Sequence, residues 1–343
     1  MKKHLNTLYV TTQGAYLSKE GETVLVSVEK EKRLQLPVHT LGGIVCFGRV
    51  MCSPFLMGFC AENSIGMSFL TEHGRFMARV QGPVSGNVLL RREQYRQADS
   101  PDFSASMARF TLTGKIANSR TVLQRAQRDH GDKIDQPEVE QAVNVLGGAL
   151  KRIESISNLD ELRGVEGETA RSYFGVFDHL ITSQKNDFYF KGRNRRPPLD
   201  NVNCLLSFLY TLLLHDVRSA LEGVGLDPGV GFLHRDRPGR PGLALDMMEE
   251  FRSFLADRLA LSLINLGQVK DKGFKKSDTG AVLMSDETRK EVIVTYQKRK
   301  QDEILHPFIG EKVAIGILFH VQALLLARYL RGDLDGYPPF IWR

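Results

Sequence analysis

Residues 201–225 read NVNCLLSFLYTLLLHDVRSALEGVG, and this stretch decides what kind of fold the chain can adopt. Apolar side chains recur almost all round the helical wheel, which predicts one long helix buried on every side and ended by the glycine. Such a helix needs other helices around it. LALDMMEEFRSFLADRLALSLINLG (243–267) and EKVAIGILFHVQALLLARYLRG (311–332) supply two, since both carry helical periodicity. Upstream, NVLLRREQYRQA (87–98), SASMARFTLTGKIANSRTVLQRAQRD (104–129) and PEVEQAVNVLGGALKRIESI (137–156) continue the pattern.

Before residue 86 the character is different. Short β-rich runs (TLYVTT, AYLSK, TVLVSV, LQLPV, GIVCFG, IGMSFLT, RFMARVQ) are separated by the turn signals QG, EGE, LGG and EHG. One helix interrupts them, with Ser53 as its N-cap, Pro54 at the first helical position and FLMGFCAEN following. The expected fold is therefore α+β: a small β-sandwich-like domain over 1–90, then a larger all-helical domain over 91–343. Residues 129–136 and 268–290 read as mobile loops.

The chain has 343 residues, 42% of them hydrophobic and 25% charged, enough for two domains with a sizeable core. MKKHLNTLYVTTQG turns polar too soon for a signal-peptide core, and no apolar run is expected to reach membrane-spanning length, so a cytoplasmic protein is expected. Cys46, Cys52, Cys60 and Cys204 form no CxxC pair and read as reduced core thiols. The net charge of +6 mixes 46 basic with 40 acidic residues, so clustering matters more than the total. KNDFYFKGRNRR (185–196), HRDRPGR (234–240), KDKGFKK (270–276) and RKEVIVTYQKRK (289–300) interleave bases with aromatics and glycines, which suits phosphate contact. Any one run alone reads as a solvated loop.

Three places carry candidate chemistry. On the helix starting near Leu243, Met248, Phe251, Leu255 and Leu259 define the buried face. Glu249 then lies about 100° round and Asp246 about 160°, with Ser253 and Ala256 continuing their strip, while Glu250 and Asp257 project to solvent. A solvated acidic first turn at a positive helix N-terminus is the competing reading. In LRGVEGETARSYFGVFDHL, Glu166 shares a stripe with Leu162, Ala170, Tyr173 and Phe177, whereas Glu168 faces away. A carboxylate so placed needs a cation, an arginine or a proton, and a buried salt bridge satisfies it equally well. His234 lies in a Gly- and Pro-rich loop, and by itself reads as an exposed loop residue. One imidazole with two or three carboxylates makes a mixed nitrogen/oxygen site for Mg²⁺ or Mn²⁺ rather than zinc. With arginines nearby to hold a phosphate backbone, the coherent reading is metal-assisted phosphodiester chemistry.

GKIANSRTVLQR, GVEGETARSYF, RRPPLDNVNCLLSFLYTLLLHDV and GLDPGVGFLHRDRPGRPGLALDMMEEFR resemble, in order and spacing, the CRISPR-associated integrases, the Cas protein numbered one, with most likeness to the type I-C branch. The resemblance implies insertion of spacer DNA into a CRISPR array, in which a free 3′-hydroxyl attacks a phosphodiester at the repeat. It also implies a metal held by Glu166, His234 and Glu249, with Asp246 behind them or an occasional ligand. By the same resemblance Asn203 bonds near the site and Tyr210 stacks on DNA, although both also read as core. Arg193, Arg195, Arg196, Arg252, Lys275 and Lys276 are the candidates for phosphate contact. The partners implied are double-stranded DNA, a second copy of the chain and the small Cas protein numbered two. Two rivals stand beside this reading: a metal nuclease or junction resolvase using water, and a basic DNA-binding scaffold without catalysis.

Overall fold

The computed structural model describes residues 6–63, 65–72, 74, 76–80, 82 and 88–342. Its first part holds β1 (Asn6–Val10), β2 (Tyr16–Glu20), β3 (Thr23–Val28), β4 (Glu31–Pro37), β5 (Leu41–Phe47), β6 (Met51–Cys52), α1 (Pro54–Glu62), β7 (Gly66–Leu70) and β8 (Phe76–Val80). The strands form two four-stranded sheets, ordered β1-β5-β7-β8 and β4-β3-β2-β6. Leu17, Val24, Ile44 and Met67 from both sheets meet Leu56 and Cys60 of α1 in one core. The cap of α1 forms as expected, Ser53 Oγ accepting from Leu56 N at 3.2 Å.

The strand period of two joins this unit to the rest. Ile44 and Cys46 of β5 enter the core just described, while Val45 and Phe47, on the other face, belong to the main core of the molecule. That core is built by α2 (Val88–Ala98), α3 (Pro101–His130), α4 (Gln136–Ile153), α5 (Leu159–Gly175), α6 (Asn201–Val224), α7 (Gly242–Phe251), α8 (Arg258–Asn265), α9 (Asp286–Gln301) and α10 (Ile315–Leu330). At its centre is α6, packed on α7 and α10 and stopped by Gly225 at φ 90°. By length and composition α6 is long enough to cross a membrane, contrary to the sequence expectation, yet here it is the core helix.

Several expectations need correction. The fold is α+β as expected, but the helical second part also carries two short strand pairs: β9 (Phe274–Lys276) with β10 (Val282–Met284), and β11 (Glu303–Leu305) with β12 (Lys312–Ala314). Residues 268–290, expected as a loop, hold a 3-10 turn, the β9–β10 hairpin and the start of α9. Asp135, in the other expected loop, caps α4 by accepting from Glu138 N at 3.1 Å. The helix begun by α7 is not continuous, since residues 252–257 are a π-helix before α8. The inserted turn breaks the 100° projection, which is why Asp257, expected in solvent, is 1% exposed. Glu250, also expected outside, is fully buried because the C-terminal segment covers it: Tyr337 Oη donates at 2.8 Å, Phe340 N at 2.8 Å and Gln322 Nε2 at 3.0 Å. Burial pushes its pKa up to about 8, against the pull of those donors. The four cysteines are free thiols, as expected, and burial raises each pKa.

Candidate active site

Three helices converge on the acids. Glu166 sits midway along α5, Glu249 near the end of α7, and α3 crosses both. Close approach is enforced at Gly114, where a Cβ would stand 3.0 Å from Glu250 Cγ and 3.2 Å from Pro339 Cβ. The next residue, Lys115, reaches between the acids. Its ammonium donates to Glu166 Oε1 and lies 3.0 Å from Glu249 Oε2. The partner that Glu166 needs is therefore a lysine shared with Glu249. Arg252, one turn on, also donates to Glu249. Burial by itself would raise the pKa of Glu249, but Arg252, Lys115 and His234 together hold it down to about 2. Burial likewise opposes the charge of Lys115, and the two carboxylates outweigh it and raise its pKa.

The His234 loop is fastened from two sides. Arg163 on α5, one turn before Glu166, donates to Leu233 O at 2.8 Å. On the other side, Asp246 Oδ2 accepts from Phe232 N at 2.6 Å and Leu233 N at 2.9 Å. Its Oδ1 accepts from His234 N at 3.0 Å and from the ring Nδ1 at 2.6 Å. Four donors occupy a carboxylate with about four lone-pair positions, so in this arrangement Asp246 holds the loop. With Nδ1 donating, the ring lone pair is on Nε2. Two carboxylates already gathered round a cation, with an imidazole held in place by Asp246, are a donor set that suits a hard divalent ion. Among the described residues no three acid, His or Cys side chains stand at ligating distance as they are, and Lys115 pairs with both carboxylates.

Beside the acids a pocket opens, walled by Ile116, Ala170, Phe174, Arg193, Arg195 and Ser253. Four residues expected to touch DNA have partners within the protein here. Asn203 is buried: it accepts from Arg193 Nη1 at 2.6 Å and Asn194 N at 3.1 Å, and donates to Gly192 O at 2.8 Å. Its work is to shape the 192–195 loop. Tyr210 is held within the protein: Arg193 and Arg252 lie 5.1 and 5.2 Å from its ring centre and its hydroxyl donates to Asp257 at 2.6 Å. Arg252 is held by Glu249 and Arg193 by Asn203 and Ser207, which accepts at 3.2 Å. Burial raises the pKa of Asp257 to about 6, although the Tyr210 and Tyr173 hydroxyls both favour its anion. Arg195, Arg196, Lys275 and Lys276 are exposed. The last two lie on the hairpin that Val282 N ties to Pro198 O at 2.8 Å, next to the 192–195 loop. Sequence reasoning missed Lys115, although it stands inside the GKIANSR motif; an exposed lysine and a buried one look alike in a helical pattern.

A family model described as "CRISPR associated protein Cas1" matches residues 8–298. The CRISPR-associated endonuclease Cas1 1 of Chlorobaculum tepidum is 60% identical over 343 residues, covering 100% of both chains. The CRISPR-associated endonuclease Cas1 2 of Rhodospirillum rubrum is 52% identical over 347 residues, again covering 100% of both. Among solved structures, a Cas1 protein from Thermotoga maritima superposes with TM-score 0.82 at 23% identity, over 96% of this chain and 99% of that one. A casposase bound to its integration product gives 0.83 at 21%, over 98% and 94%. A Cas6–RT–Cas1–Cas2 complex gives 0.81 at 22%, over 98% of this chain and 36% of that one. Matched along its whole length at 60% identity, and by the family model over most of it, the chain belongs to the CRISPR-associated Cas1 family.

Proposed function

We propose that this Cas1 endonuclease and integrase joins DNA by metal-assisted transesterification, with Glu166, Glu249 and His234 holding one Mg²⁺ or Mn²⁺. The observation that carries the reading is the single ammonium of Lys115 shared by carboxylates from two helices, beside an imidazole locked in one tautomer. Carboxylates gathered at one point repel unless a cation lies among them, so the fold has built a cation trap. When bound, the ion polarises the scissile phosphate and stabilises charge on the departing 3′-oxygen.

The protein's own residues do the rest. Asp246 fixes the imidazole and its loop in place. Arg195, Arg196, Lys275 and Lys276 receive phosphates of double-stranded DNA along one edge and fix its register without reading sequence. Arg193 and Arg252 add positive charge at the pocket wall. The proposal includes action in the cytoplasm as a homodimer carrying the small Cas protein two.

A joining assay tests it, with a duplex bearing free 3′-hydroxyls, a supercoiled plasmid carrying a CRISPR repeat, and Mn²⁺ or Mg²⁺. Metal-dependent strand joining is the expected result. Cutting without joining would assign the site to a nuclease that uses water, and metal-independent binding alone would leave only a scaffold.

A further inference from the structure

The ligand set proposed above does not require a lysine between its two acids, yet the fold places one there. Glu249 is 2% exposed, and a buried carboxylate left unpaired costs several kcal/mol. Arg252 offsets this for Glu249 but, among the described residues, forms an ion pair with that acid only. Lys115 arrives from a different helix and reaches both acids. Its side chain is 13% exposed, and it shares the pocket wall with Ser253, whose Oγ is buried and has no hydrogen-bond partner among the described residues. A lysine is a compact charge on a flexible four-carbon stem, able to leave one acceptor for another where a planar guanidinium would be fixed.

We propose that Lys115 is the resident counter-cation of the metal-free site: it holds Glu166 and Glu249 together until a divalent ion arrives, and it releases at least one of them for that ion to be ligated by both. The proposal rests on Glu166, Glu249 and His234 being the ligands. Lys115 is a positioning residue, and Ser253 Oγ is the acceptor that takes its ammonium on release. Ion affinity is then set by exchange of one cation for another. The competing charge of Lys115 keeps the site weaker for Mg²⁺ and Mn²⁺ than its donors alone would make it.

Titration calorimetry of Mn²⁺ into the full-length protein tests this. Lys115→Met should bind Mn²⁺ about tenfold or more tightly than wild type, because the competing charge is gone. Lys115→Arg, which keeps the charge on a stiffer head, should bind more weakly than Lys115→Met. Equal or weaker binding by Lys115→Met overturns the proposal. A measurement on the unaltered protein guards against a variant that fails to fold: amine acylation read by mass spectrometry. Lys115 should be protected in EDTA and modified faster in saturating Mg²⁺, and unchanged protection overturns the exchange. Failure of the ligand set looks different, since wild type would then bind no Mn²⁺, or Glu166→Ala would bind it as wild type does.

Discussion

Asp246 holds His234 by two bonds, accepting from its backbone N–H at 3.0 Å and from its ring Nδ1 at 2.6 Å. The same carboxylate fixes the two residues before it, and Gly231 leaves room for this, since a Cβ there would stand 2.6 Å from Asp246 Oδ2. Ring orientation, and with Arg163 the shape of the loop, therefore depend on this side chain.

Asp246→Asn puts an amide N–H₂ among four donors, and Gly231→Ala pushes a methyl group against the carboxylate. Both should lower Mn²⁺ affinity by about 10- to 100-fold, the usual cost of losing the partner that orients a ligand. Calorimetry checks it. Wild-type affinity in either variant would show that the imidazole needs no such hold.

Glu166→Ala and His234→Ala should abolish strand joining and leave DNA affinity within about twofold, because the phosphate contacts proposed above lie on the exposed bases and not on the proposed ligands. Joining assays run beside fluorescence anisotropy separate the two quantities. A variant that joins at the wild-type rate would remove that residue from the site.

Asn203 holds Arg193 and the 192–195 loop together. Asn203→Ala should cost about 2 kcal/mol of stability, because buried donors and acceptors lose their partner. It should also weaken DNA binding several-fold for every sequence. Combined with Arg193→Ala, the two losses should fall short of additive, as expected for groups acting through one contact. Anisotropy over a double-mutant cycle measures this.

His215 gives a pH dependence away from the acids. Burial, with Lys300 and Arg218 against the opposing pull of Asp216, lowers its pKa from 6.5 to about 4. Between those values the unfolded chain binds a proton that the native state refuses, so stability is fully present above pH 6.5. It falls as the pH drops toward 4, by roughly 3 kcal/mol in all. His215→Asn keeps a polar partner for Ser68, whose Oγ lies 3.0 Å from Nδ1, and removes the titration. Its thermal midpoint should fall less than that of wild type from pH 6.5 to 4; an equal fall would place the acid sensitivity elsewhere.

The two-part fold was legible because both periods are plain: alternation in TVLVSV and GIVCFG, and the near-continuous apolar wheel of α6. Ser53 and Gly225 marked their helix ends because capping is local chemistry. What stayed hidden was set by packing between distant segments. Glu250 is buried by residues some ninety positions away, which no projection of its own helix contains. Asp257 turned inward because a π-helical turn shifts the wheel, and the sequence RSFLAD carries no signal for it. For the site, Glu166 and Glu249 were readable as acids near apolar stripes. The lysine between them was not, since its burial depends on where α3 crosses α5 and α7.

The central claim is that two acids and an imidazole from distant parts of the chain hold a single ion. Crystals grown without metal and soaked in Mn²⁺, measured at the manganese absorption edge, test it most directly. One anomalous peak is predicted within ligating distance of Glu166, Glu249 and His234 Nε2, with Lys115 withdrawn from at least one carboxylate. A peak that touches Glu249 without Glu166 or His234, or no peak at all at saturating Mn²⁺, would contradict the account.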